Sequence, residues 1–308
     1  MRYRPFGRSG VATSCVALSL TDKAAARGAE ALRQLICVGL EAGVNTYHID
    51  ALDSQVPAVL GETLSAVDRH LIFVSLQLGV AQGRVGTTRD FSPETLTATV
   101  DQVLNASQLG HIDLVVLDDP GVDELPRSSL EALKGLRASG RVSLLGVAGA
   151  NDAMDAYVST NSFDVLVTPY HLRSGWKERN RLKAAVGLDM GVIGYDWYPD
   201  EFSTAAKTEA AIQPKSRGWF GGKAAGSHPL EGVGSYRFLH QTKGWTAEEI
   251  CLAYSLTEPS LATVLVESDD PEHLARLAAV PDRDMPPGLA AQVEMARFAP
   301  MNDKSATG

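Results

Sequence analysis

The sequence predicts a single (β/α)8 barrel, the TIM-barrel member of the α/β class, on three observations. Short β-branched runs alternate strictly with stretches of helical period, eight of each. The chain has 308 residues, a usual length for one such barrel. No glycine-rich dinucleotide fingerprint opens the first strand–helix unit, which counts against an open doubly wound sheet with the same alternation.

In chain order, the strands are expected at 16–20, 46–49, 71–76, 112–117, 142–147, 165–169, 191–195 and 263–266. The helices are expected at 24–42, 56–67, 92–107, 128–138, 151–159, 176–190, 246–257 and 271–278. Local punctuation supports these limits. Ser92-Pro93-Glu94 combines an N-cap with proline at the first helical position, and Gly43, Gly110 and Gly140 follow helix ends. Thr246 with Glu249 three residues later fits a capping box. Residues 200–244 break the rhythm as a long insertion before the seventh helix, rich in Gly, Lys and aromatics (Lys215, Arg217, Trp219, Phe220). Such a loop reads either as a functional lid or as a solvated surface segment. Residues 299–308 read as a frayed tail, so the barrel is expected to be one domain over 1–298.

Composition bounds the function. With 44% hydrophobic and 21% charged residues, a sizeable core is available. The net charge of -9 disfavours nucleic acid and anionic membranes as partners, leaving a small molecule as the expected ligand. Cys15, Cys37 and Cys251 lie far apart in apolar runs, as buried thiols of a reducing compartment do. The N-terminus carries no apolar leader and no run reaches 18 apolar residues, so a cytoplasmic location is expected.

Several segments have a common likeness. They are Arg4-Pro5-Phe6-Gly7-Arg8-Ser9-Gly10, Glu41-Ala42-Gly43-Val44-Asn45, Leu60-Gly61-Glu62, the run from Leu133 to Val147, Phe163-Asp164-Val165 and Pro169-Tyr170. Together they resemble the aldo-keto reductases over nearly the whole chain. The resemblance implies an N-terminal hairpin plugging the barrel bottom and an Asp, Tyr, Lys, His tetrad at the C-terminal mouth. In that tetrad tyrosine protonates the carbonyl oxygen as hydride arrives from a nicotinamide. Placed on Asn45 and Gly61, the four positions hold His48, Asp53, Gln77 and Asp118. A two-residue shift of the second strand would put Asp50 in place of His48, and still brings no tyrosine, because residue 55 is Gln.

A neutral glutamine lowers no neighbour's pKa by charge, and an ionised Asp53 repels a developing alkoxide. Only a desolvated, protonated Asp53 would serve as the acid. The cofactor positions implied by the family differ as well. Ala148-Gly149 stand in place of Ser-Asn, Val167 in place of Gln, and Asp196 in place of Ser, while Tyr195 keeps a ring for stacking. Glu267-Ser268-Asp269-Asp270 stand in place of a basic phosphate clamp. These substitutions lead to the expectation that no cofactor is used, NADP(H) in particular.

His48, Asp50, Asp53, Gln77, Asp118 and Asp119 are expected to project into one mouth, with Tyr170, Tyr195, Trp197 and Tyr198 forming an aromatic wall or packing beneath the long loop. A metal on His48-x-Asp50 with Asp118 is disfavoured by the lack of paired histidine motifs. The favoured function is a cofactor-independent acid/base enzyme of lyase, isomerase, dehydratase or cyclase type, with His48 as base and Asp118 orienting it. Two alternatives stay open: a non-catalytic small-molecule-binding or regulatory barrel, and an NAD(P)-dependent oxidoreductase with an altered site.

Overall fold

The computed structural model describes residues 1–51, 55–82, 87–199, 202 and 234–298. Eight parallel strands close into a barrel: β3 (Val16–Thr21), β4 (Thr46–Asp50), β5 (Phe73–Leu78), β8 (Ile112–Asp118), β9 (Val142–Ala148), β10 (Val165–Pro169), β11 (Gly191–Tyr195) and β12 (Thr263–Glu267). They neighbour one another in chain order, and β12 pairs back onto β3. The expected (β/α)8 class is therefore the observed one.

The strands alternate between two apolar layers. Val16, Leu18, Leu20, Tyr47, Ile49, Val264 and Val266 point outward and join the helices in the larger core. Phe6, Phe73, Leu114, Val116, Val165, Val167 and Ile193 fill the barrel interior. The interior ends upward in polar side chains. On β4 the same inward parity that buries Thr46 brings His48 and then Asp50 towards the mouth.

The bottom is closed by the antiparallel hairpin of β1 (Tyr3–Pro5) and β2 (Ala12–Ser14). Phe6 enters the barrel and meets Phe73 edge to face, with centroids 4.8 Å apart. Arg8 is fastened to the buried Asp164 carboxylate at 2.6 Å, which also holds Arg137 and the Leu145 amide. Gly7 has φ +50, and a Cβ there would stand 2.4 Å from the Gly191 nitrogen, so the plug approaches β11 by backbone alone.

The helices are α1 (Asp22–Ala25), α2 (Ala29–Glu41), α3 (Gln55–Leu64), α4 (Pro93–Ser107), α5 (Arg127–Ala138), α6 (Ala153–Ser159), α7 (Trp176–Gly187), α8 (Ala247–Ser255), α9 (Pro271–Ala279) and α10 (Leu289–Phe298). Ser92 caps α4 and Thr246 with Glu249 forms the capping box of α8, as expected. Three features differ from expectation. The first helical stretch is broken at Gly28, whose φ of +92 no helix accepts. A hairpin of β6 (Val80–Gln82) and β7 (Thr87–Arg89) follows β5, and α10 adds a last helix. The expected insertion falls mostly, and Asp53 and the tail at 299–308 wholly, outside the described residues. Among the described residues no helix is long and apolar enough to cross a membrane.

Candidate active site

A cavity of about 480 Å³ opens at the C-terminal mouth, where a barrel of this class gathers the side chains of several strand ends. Ser19 comes from β3, His48 and Asp50 from β4, Gln77 from β5, Asp118 from β8, Tyr195 from β11, and Leu265 and Glu267 from β12. Asp196, Trp197 and Tyr198 follow β11, and Glu248 from the first turn of α8 completes the rim. The expected convergence of His48, Asp50, Gln77, Asp118, Tyr195 and Trp197 is thus observed.

Two expected pocket residues lie elsewhere. Tyr170 packs in the outer core, 3% exposed, with its hydroxyl 3.2 Å from Glu258 and its carbonyl accepting from Ser255. It points away from the mouth because it lies one residue past β10, on the helix side of the wall. Asp119 takes a left-handed turn at φ +43 that swings its carboxylate out of the cavity, to Asn151 Nδ2 at 2.7 Å and Arg89 at 3.6 Å.

The expected His48–Asp118 dyad is not formed. β4 pairs with β5 so that His48 stands opposite Ser75, and His48 Nδ1 lies 2.8 Å from Ser75 Oγ. Gln77 is the second side-chain partner of the imidazole. The Gln77 amide in turn donates to Asp118 Oδ1 at 2.9 Å. The glutamine therefore separates the two groups that were expected to touch. Sequence reasoning missed Ser75, because nothing local marks a serine as the partner of a histidine on the next strand.

Burial pushes the His48 pKa down to about 4, with the Gln77 hydrogen bond opposing. The ring is neutral at ordinary pH and is no orientated imidazolium. A histidine with a lowered folded pKa binds fewer protons than the unfolded chain between that value and 6.5. Its contribution to stability is therefore intact above pH 6.5 and is lost as pH falls towards 4, by up to about 3 kcal/mol. Imidazole NMR is expected to show the His48 ring neutral down to pH 5, both in the wild type and in Asp118→Asn. A midpoint near the free value in either protein would contradict the buried network.

Asp50 behaves in the opposite sense. Its carboxyl opens to the cavity at the end of β4, yet the protein wall around it and the charges of Glu267, Asp118 and Asp22 push its pKa up to about 6. Asp118 is also raised by burial, with Arg89 holding it back, and Glu267 is raised by burial and by Asp196. The cavity thus holds a cluster of mutually repelling carboxyls in which a proton is retained close to neutral pH. Tyr195 is no substitute acid, because burial and the Asp196, Asp119 and Asp118 charges push its phenol above the ordinary tyrosine value.

The nicotinamide seat implied by the resemblance would fall against these walls. Ala148, Val167 and Leu265 form an apolar patch beside the Tyr195 ring, which suits a flat heteroaromatic ring. Beyond the end of β12, Lys23 and Arg27 stand 3.3 and 3.7 Å from the Asp269 carboxylate, so the acidic turn after β12 carries its own cations. The apolar patch beside Tyr195 is therefore compatible with the ring end of such a group.

The fold and the cavity together define a closed (β/α)8 barrel with a polar cleft at the C-terminal mouth. The chain belongs to the aldo/keto reductase family, whose model matches residues 29–292. Among solved structures, the holo form of the aldo-keto reductase AKR11C1 from Bacillus halodurans is similar. Its TM-score is 0.73 and its identity 16% over 99% of each chain, a likeness that shows the fold. No curated protein matches the chain.

The family match overturns two expectations: a cofactor-independent acid/base enzyme, and a chain without a nicotinamide cofactor. Both rested on the side-chain types at a few positions. At reference pKa values those types offer no acid, whereas burial and the neighbouring carboxylates push the Asp50 pKa up to about 6.

Proposed function

We propose that this chain is an NAD(P)H-dependent oxidoreductase of small carbonyl compounds in which a carboxyl at the barrel mouth, Asp50, takes the place of the family's tyrosine as proton donor. The observation that carries the proposal is the Asp50 carboxyl itself, which lines the cavity together with Asp118 and Glu267, a setting that pushes its pKa up to about 6. In this reading the tetrad is substituted, and His48, Gln77 and Asp118 form the hydrogen-bonded floor beneath the acid.

The nicotinamide, when bound, supplies the hydride. Asp50 supplies the proton to the carbonyl oxygen and is left as a carboxylate, so the carbonyl gains hydride and proton and becomes an alcohol. Neutral His48 and Gln77 offer hydrogen bonds without adding charge, and Asp118 holds the Gln77 amide in one orientation. Tyr195 with Ala148, Val167 and Leu265 excludes water from the ring seat.

The test is a fluorescence titration with NADH and NADPH, followed by cofactor oxidation with a panel of small aldehydes and ketones. Saturable binding of at least one cofactor in the micromolar range is expected. No saturable binding of either cofactor would refute the proposal outright.

A further inference from the structure

A second hydrogen-bonded set closes the rim on the side of α8 and α9, away from the Asp50–Gln77–Asp118 group. His273 on α9 lies between Glu248 on α8 and Ser268 in the turn after β12. Its Nε2 is 2.9 Å from Glu248 Oε2, and its Nδ1 is 3.0 Å from Ser268 Oγ. Ser268 Oγ donates to the Asp270 carbonyl at 2.8 Å and accepts from the Asp270 amide at 3.1 Å. Glu248 itself, and Glu267 beside Ser268, line the cavity.

A serine, a histidine and an acid in line resemble a hydrolytic triad, but the hydrogens run the wrong way. The single hydroxyl hydrogen of Ser268 is aimed at the Asp270 carbonyl, and the oxygen presents a lone pair to Nδ1. A ring nitrogen facing that lone pair needs a hydrogen, and so does the nitrogen facing the Glu248 carboxylate. Only the imidazolium satisfies all four contacts at once. A neutral ring either sets a nitrogen lone pair against an oxygen or draws the serine hydrogen away from Asp270.

We propose that His273 is a proton-operated positioning residue, which as the imidazolium ties the Glu248 carboxylate to the turn after β12 and, when neutral, gives up either that tie or the Ser268 bond to the Asp270 carbonyl, so that the cavity rim rearranges. The charged groups facing the ring agree with this. Glu248 from α8 raises its pKa most, burial opposes, Asp270 from the turn adds and Arg276 on α9 subtracts, for a net rise. The stability this adds is present below the unfolded imidazole value of about 6.5 and is lost as pH rises through the folded one. Rim geometry and rim charge therefore change together as pH rises through the raised His273 value. The tie does not depend on which chemistry the cavity performs.

The experiment is an imidazole NMR titration of the whole chain, with the Trp197 indole followed in the same samples. That indole donates to the Leu265 carbonyl on the cavity wall at 2.8 Å and reports the rim. In the wild type the His273 midpoint is expected above 6.5, with the Trp197 resonance moving at the same midpoint. Glu248→Gln is expected to lower the His273 midpoint, because it removes the largest cause of its rise. His273→Gln is expected to abolish the Trp197 movement. A wild-type midpoint at or below the free value would overturn the proposal without reference to any variant. A Trp197 resonance that stays still while His273 titrates would overturn the link to the cavity.

Discussion

Asp50→Asn is expected to lower kcat/KM for carbonyl reduction by about 10²- to 10⁴-fold, the range set by the loss of a general acid. Asparagine keeps the shape of the side chain and can still donate a hydrogen bond, but it cannot give up a proton at this step. The wild type should show the matching pH dependence. Because the Asp50 pKa lies at about 6, reduction should be fastest below that value and fall as pH rises through it. In Asp50→Asn this limb should vanish. Circular dichroism and thermal unfolding would establish that the variant is folded. A folded Asp50→Asn protein with wild-type kcat/KM, or a wild-type profile flat across pH 5–8, would remove Asp50 from the role of acid.

Gly61→Ala is expected to be the most damaging conservative change to the fold. Gly61 lies in α3 where that helix meets the end of α4, and a Cβ there would stand 1.8 Å from the Ser107 carbonyl oxygen and 2.6 Å from its carbon. The obstacle is backbone, so no side-chain rotation relieves it, and the two helices must separate. The expected cost is about 3 kcal/mol, read as a fall in Tm of roughly 5 °C for a chain of this size. Gly135→Ala in α5 is the control, since a Cβ there meets nothing within 4 Å. It should be neutral or stabilising by about 0.4–1 kcal/mol, through the lower entropy of the unfolded chain. Equal Tm values for the two variants would show that α3 and α4 do not approach as closely as described.

Gly61 also shows where the sequence stops being informative. The segment Leu60-Gly61-Glu62 is legible as a family landmark, yet the reason for glycine there is a carbonyl on another helix, 46 positions along the chain. Gly28 is the reverse case. Its left-handed φ is a local fact that ends one helix and begins the next, and a continuous helix across it was expected only because the apolar spacing carries through.

The same division runs through the site. By itself the sequence determined the eight strands, the capped starts of α4 and α8, the barrel they compose, and a group of polar residues at its mouth. Those features rest on signals read within a few residues of one another: β-branched runs, Ser92 before Pro93, Thr246 before Glu249, and the inward parity that aligns His48 with Asp50. Only the tertiary structure decided which of the mouth residues touch and which one holds a proton. The pairing of β4 with β5 sets His48 against Ser75, and Gln77 then stands between it and Asp118. The Asp50 carboxyl is raised first because the closed barrel withdraws it from water, and then because β12, β8 and the start of α1 bring Glu267, Asp118 and Asp22 round it. Side-chain partners and pKa values depend on distances between strands far apart in the chain. A residue's type limits its chemistry, but the charges and burial that select among its protonation states exist only once the barrel has closed.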